Sequence, residues 1–184
     1  MSIGAQAVAR CLAWRMPPFS EDAAGLTRRY LTTAHRAALD CLSGWMAEAG
    51  MTVRLDAAGT LIGRYEAADP GAKTTLLIGS HIDSVRDAGA FDGTLGVMIG
   101  LGCVEALHKQ GRRLPFAIEI LAFGDEEGSR FHASMLGSGA LAGHWNGKRP
   151  NRPPGDKGRE FDSRAISLPL WASTRSHPRQ RSNG

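Results

Sequence analysis

Thr74-Thr75-Leu76-Leu77-Ile78-Gly79, running straight into Ser80-His81-Ile82-Asp83-Ser84, is the stretch on which the fold turns. A short, nearly continuous apolar run of this kind, in a chain that also has helices, reads as a strand covered on both faces of a central sheet. Asp69-Pro70-Gly71 turns into it, and a loop rich in Asp and Gly follows it. The next segment, from about Thr94 to Gln110, reads as a helix. Gly96 and Gly100 lie one turn apart on it, the spacing of close helix–sheet packing. Phe116–Phe123 (FAIEILAF) is the next strand, and Ser134–Gly143 opens another helix. Upstream, Ala38, Cys41, Leu42, Trp45, Met46 and Ala49 recur at three- and four-residue intervals. They make an amphipathic helix, with Thr32 or Thr33 as its cap and Gly50 as its stop. Met51, Val53 and Leu55 then alternate with polar residues, and Ala57-Ala58-Gly59 turns the chain into a second strand near Thr60–Tyr65, a hairpin. Pro17 and Pro18 break any early helix in the mixed first twenty residues. The order is helix, hairpin, strand, helix, strand, helix: a mixed α/β domain with its polar loops at strand ends.

Composition narrows the functional classes. Of the 184 residues 42% are hydrophobic and 22% charged, which is globular rather than disordered. The uncharged, glycine-interrupted stretch Gly93–Val104 is too short to span a bilayer. Arg10 and Arg15 interrupt the N-terminal stretch where a secretory signal needs apolar residues, so a cytoplasmic location is expected. Cys11, Cys41 and Cys103 give neither a disulfide framework nor a zinc-finger spacing, and Cys103 reads as core on an apolar helix face. Residues 1–147 hold 13 Lys+Arg against 15 Asp+Glu, whereas residues 148–184 hold 9 against 3. The basic balance therefore belongs to the tail, and scattered arginines among prolines are a weak footprint for nucleic acid.

Three clusters carry the chemistry. Gly79–Ser84 follows the first strand, Ala90-Phe91-Asp92-Gly93 opens the following helix, and Gly124–Ser129 (GDEEGS) follows the second strand. Each alone is ordinary: a lone histidine at a strand end, an Asp-Gly turn, a solvated Glu pair. Their placement after consecutive strands changes the reading, because anionic groups gathered there call for a cation. Imidazole with several carboxylates is a ligand set suited to zinc or manganese. His81 and Asp83, two apart on an extended segment, cannot be equal ligands, so Asp83 is expected behind the site, accepting the free N–H of His81. Adjacent Glu126 and Glu127 suggest a similar division, one facing the metal and the other moving protons. No GxGxxG or Walker sequence is present, and no serine has a G-x-S-x-G setting.

At these residues the chain becomes recognisable. GSHIDSVRDAGAFDGTLGV, then FGDEEGSRF and SMLGSGALAG, resembles the M20-type metallopeptidase-like amidohydrolases. Within them it is most similar to the allantoate amidohydrolase, N-carbamoyl-amino-acid hydrolase and ureidopropionase group. Gly25–Thr32 (GLTRRYLT), Val85–Gly89 and Ala49–Tyr65 look most like allantoate amidohydrolase, and the match runs from about Phe19 to Gly143. The resemblance implies two divalent ions, zinc or manganese, with His81 a ligand to one, Asp92 bridging both and Glu127 a ligand to the second. It makes Glu126 the general base and Asp83 the partner of His81. The reaction it implies is metal-assisted hydrolysis of a C–N bond in a small linear ureido or carbamoyl substrate, by a homodimer. An aminopeptidase of the wider group is the enzymatic alternative.

The departures set further expectations. The resemblance also implies a lid or dimerisation domain, two further metal-binding histidines and substrate-binding residues from a second half, none of which can be placed here. His144 follows the Glu pair too closely, and His177 lies in a Pro/Arg-rich segment, so neither is read as a ligand. Residues 1–143 are therefore expected to be the N-terminal part of the catalytic domain. Residues 144–184 read as an irregular basic tail, with Ile166–Trp171 an isolated apolar patch. Out-of-frame sequence fits its charge shift and missing periodicity, and a solvated tail is the other reading. With three of five protein ligands, an inactive form or a non-catalytic fragment is expected.

Overall fold

Periodicity places most of the elements, and their pairing explains the rest. A computed structural model describes residues 2–131 and 133–144; the tail, its apolar patch and His177 lie outside the described residues. Eight elements follow in chain order: α1 (Ile3–Ala13), α2 (Thr33–Glu48), β1 (Thr52–Leu55), β2 (Leu61–Tyr65), β3 (Thr75–His81), α3 (Thr94–Lys109), β4 (Ala117–Phe123) and α4 (Leu136–Leu141). The Thr32 hydroxyl caps α2 by accepting the His35 N–H at 3.3 Å, and Gly50, at φ 73°, stops it.

The four strands lie in the order β1-β2-β4-β3. β1–β2 and β2–β4 are antiparallel, while β3 and β4 run parallel in a register that sets His81 beside Phe123. The sheet is thus mixed, and its two parallel strands finish side by side. α3 lies against both of them. A Cβ added at Gly100 would sit 3.0 Å from Ile120 and Ile78, and one at Gly96 would reach Ser80 at 2.8 Å, so the glycines do serve close helix–sheet packing. The core gathers Leu42 and Met46 of α2, Met98 and Leu101 of α3, and Ile118 and Ile120 of β4. Each such side chain contributes about 1.5–3 kcal/mol through burial.

The structure corrects three expectations. The Thr74–Gly79 run is not covered on both faces: among the described residues β3 lies at one edge of the sheet, and Leu76 and Leu77 are 45% and 50% exposed. The doubly covered strand is β4, with Ala117, Ile118, Ile120, Leu121 and Ala122 buried. An apolar run reports composition, while sheet position depends on pairing with β2, which is remote in sequence. A helix does form before the prolines, because Pro17 and Pro18 lie beyond the end of α1. Ala7, Cys11 and Trp14, at helical spacing, are all buried, and α1 packs on α3. Cys103 is exposed; Leu101 and Val104 take the buried face of α3 and leave residue 103 outside.

Candidate metal and proton-transfer site

The parallel ends of β3 and β4 and the start of α3 bring the three clusters together. His81 ends β3, Asp92 and Gly93 precede α3, and Asp125–Glu127 follow β4. Gly93, at φ 63°, is required here: a Cβ at this position would fall on the His81 ring. Among the described residues, His81, Asp92 and Glu127 offer one ligand atom each, all within 4.8 Å of one another. His81 Nε2 lies 3.8 Å from Asp92 Oδ1 and 3.9 Å from Glu127 Oε1.

The other imidazole nitrogen fixes the tautomer. Nδ1 is 2.9 Å from the backbone carbonyl of Asp83, which can only accept, so Nδ1 carries the proton and the Nε2 lone pair faces the two carboxylates. The partner is thus Asp83's main chain; its carboxylate stands 3.8 Å away. That carboxylate instead accepts the Glu126 and Glu127 N–H groups, each at 3.2 Å, tying the end of β3 to the loop after β4. Asp83 is fully buried. Burial pushes its carboxyl above the ordinary range, while these N–H groups and His81 pull it back.

The two glutamates part ways. Glu127 joins the triad, and burial together with the charge of Asp92 raises its pKa. Glu126 accepts from Ser138 with both oxygens, from the backbone N–H at 2.9 Å and from the hydroxyl at 2.9 Å. The neighbouring N–H groups of Met135, Leu136 and Gly137 donate to the carbonyls of Glu126, Asp125 and Gly124. The start of α4 is therefore docked onto the loop after β4, and the Glu126 carboxylate takes part in that docking.

Two residues at the site carry roles that sequence reasoning missed. Asp125 was legible only as part of the acidic cluster. It is fully buried at φ 58°, and neither carboxylate oxygen has a hydrogen-bond partner among the described residues. Burial, with Asp83 and Glu126 adding repulsion, raises its pKa to about 7. Arg28, legible only inside the GLTRRYLT segment, is wholly buried and faces the electrostatic field of Asp83.

The residues present fit a divalent cation. An imidazole lone pair of fixed tautomer converges with two carboxylates, one of which is held above its ordinary pKa by burial and by the other's charge. Nitrogen and oxygen donors of this kind suit zinc or manganese.

A mixed α/β sheet with an acidic, histidine-bearing cluster at parallel strand ends places the site where α/β folds bind ligands. The family model for Peptidase family M28 matches residues 60–159, and the chain belongs to that family. The sequence resemblance above carried the M20-type label; the relatives bear the group names it pointed to. An N-carbamoyl-L-amino acid amidohydrolase of Geobacillus stearothermophilus is 46% identical over 123 residues, covering 67% of this chain and 30% of the relative. Allantoate deiminase 1 of Glycine max is 45% identical over 125 residues, covering 66% of this chain and 26% of the relative. The crystal structure of a hydantoinase/carbamoylase family amidase from Burkholderia ambifaria superposes with a TM-score of 0.71 at 35% identity, over 78% of this chain and 34% of that one. The chain thus spans about a third or less of each of these three proteins. No helix among the described residues is long and apolar enough to cross a membrane.

Proposed function

We propose that this chain carries the metal-binding and proton-transferring part of an amidohydrolase that cleaves a C–N bond in a small linear ureido or carbamoyl compound. The observation that carries the reading is the convergence of His81 Nε2, Asp92 and Glu127 at the ends of two parallel strands. The names of the carbamoyl-amino-acid amidohydrolase and allantoate deiminase relatives support the substrate class.

His81, Asp92 and Glu127 would hold divalent metal through an imidazole nitrogen and two carboxylates. What a divalent cation contributes when held there is Lewis acidity toward a carbonyl oxygen and toward water. Asp83 sets the geometry: its carbonyl orients the His81 ring, and its carboxylate holds the backbone of both glutamates. Glu126 takes a proton from the attacking water and returns it to the leaving nitrogen. Ser138, donating to both Glu126 oxygens, keeps that carboxylate from rotating freely.

The test is metal content together with ammonia release from allantoate or an N-carbamoyl amino acid, on purified chain supplied with manganese or zinc. With three of the five implied ligands present, bound metal with little or no turnover is expected; Glu126→Gln should abolish any turnover while retaining the metal, and His81→Ala should lose the metal. Failure to bind metal would remove the cation-site reading, and turnover near that of a complete enzyme would show that three ligands suffice. Retained activity in Glu126→Gln would remove the role given to Glu126.

A further inference from the structure

We infer that Arg28 is the positioning residue of the strand-end site, setting the relative placement of the segments that bear His81, Asp92 and Glu127. The inference rests on the metal-site reading above and extends it to a residue that no ligand would touch.

Arg28 lies between α1 and α2 in sequence, yet its guanidinium is buried among segments of very different chain position. Nε donates to the Ile82 carbonyl at 2.6 Å, Nη2 to the Thr94 hydroxyl at 3.0 Å, and Nη1 to the Phe19 and Trp14 carbonyls at 2.9 and 3.2 Å. Its backbone N–H donates to the Ser84 hydroxyl at 2.9 Å, and its carbonyl accepts the Ser84 N–H at 2.9 Å. Ile82 and Ser84 bracket Asp83, the residue that holds the His81 ring and the Glu126 and Glu127 backbone. Thr94 is the first residue of α3, and its own N–H donates to the Asp92 carbonyl at 2.6 Å.

One planar fork thus grips the chain after β3 and the start of α3 at once, while Asp83 extends that grip to the loop after β4. A guanidinium can do this because its donors point in fixed directions and it remains charged; even with burial lowering its pKa to about 10, Arg28 is a cation at neutral pH. A lysine has one flexible ammonium and cannot reach Ile82, Thr94 and Phe19 together. The charge also lies in the field of buried Asp83, so the two are coupled electrostatically as well as through Ile82 and Ser84.

The experiment is a Mn2+ titration of the full chain by calorimetry and electron paramagnetic resonance, with melting followed by circular dichroism. Wild type is compared with Arg28→Lys, Thr94→Val and Leu42→Ala, the last a core change on α2, which packs against β1 and β2. Arg28→Lys is expected to weaken Mn2+ binding about 10–100-fold, the range for residues that orient metal ligands, and to alter the spectrum of bound Mn2+. Thr94→Val, which removes a single acceptor, shifts affinity in the same direction and serves if the lysine variant does not fold. Leu42→Ala lowers the melting temperature and leaves affinity unchanged. Wild-type affinity in folded Arg28→Lys or in Thr94→Val, or an equal loss in Leu42→Ala, overturns the inference. A wild-type chain that binds no Mn2+ overturns the metal-site reading itself, and this inference with it.

Discussion

His81, Asp92 and Glu127 are reached by solvent, whereas Arg28, Asp83 and Asp125 behind them are fully buried. The two tiers are held differently. The rim touches through electrostatic separations of 3.8–3.9 Å, while Arg28 and Asp83 are fixed by hydrogen bonds of 2.6–3.2 Å. Rim residues can therefore be exchanged with little effect on folding and a large effect on ligand binding. Floor residues set where the rim points, and altering them costs stability directly. Repulsion among rim carboxylates is tolerated because water screens it; within the floor, an unpaired charge has no such relief.

The largest stability effect is expected at Asp83. Asp83→Ala strands the part-buried Glu126 and Glu127 N–H groups and removes a negative charge whose field reaches buried Arg28. Leaving a donor inside the fold without its acceptor costs about 1–3 kcal/mol for each group. Urea unfolding should show a loss of this size in metal-free protein. A loss below about 1 kcal/mol would place Asp83 with the rim and dissolve the distinction between the tiers.

Asp125 sharpens the comparison from the opposite side, since it is a floor residue whose ionised form has no partner among the described residues. Its folded pKa, about 7, lies above the unfolded value, so the folded state holds the proton more tightly. Stability from this group is complete below about pH 4 and falls as pH rises to about 7, by about 1.4 kcal/mol per unit of pKa difference. Asp125→Asn keeps a residue suited to the positive φ and removes the titration. The variant should lack this loss in a pH series of melts on metal-free protein. Identical slopes in wild type and variant would mean that Asp125 is ionised and paired.

The contrast between tiers also accounts for what the sequence displayed. His81, Asp92 and Glu127 were visible because each stands beside the end of a strongly patterned strand or helix, where a period of two or of 3.6 stops and polar residues begin. The helices α2 and α3 and the hairpin were visible for the same reason, through Leu42, Met46, Val53 and the glycine turns. Arg28 gives no such signal. Its partners Ile82 and Thr94 are more than fifty residues away, and an arginine in a polar segment normally reads as surface. The edge position of β3 was hidden because Leu76 and Leu77 have the composition of a covered strand. α1 was hidden because small residues such as Ala7 and Cys11 mark its buried face only weakly. The Ser138 contact to Glu126 was equally invisible, since it depends on α4 folding back onto the end of β4.

The smallest folding effect is expected on the rim, at Glu127, and its sign should depend on metal. In metal-free protein the Glu127 carboxylate is disfavoured by burial and by Asp92, so Glu127→Gln removes a modest cost and should shift stability by no more than about 0.5 kcal/mol, upward if at all. Metal reverses the comparison. A ligand that binds only the folded state adds RT ln(1 + [L]/Kd), about 2.7 kcal/mol at a hundred times Kd. Wild type should gain this with Mn2+ or Zn2+ and the glutamine variant should gain much less, because a neutral amide is a poorer donor to a hard cation. The order of melting temperatures should therefore invert on adding metal. The same inversion is not expected for Asp83→Ala, which is the less stable protein under both conditions. If Glu127→Gln were instead destabilised without metal, its carboxylate would be a structural partner inside the fold, and the rim would be an extension of the floor.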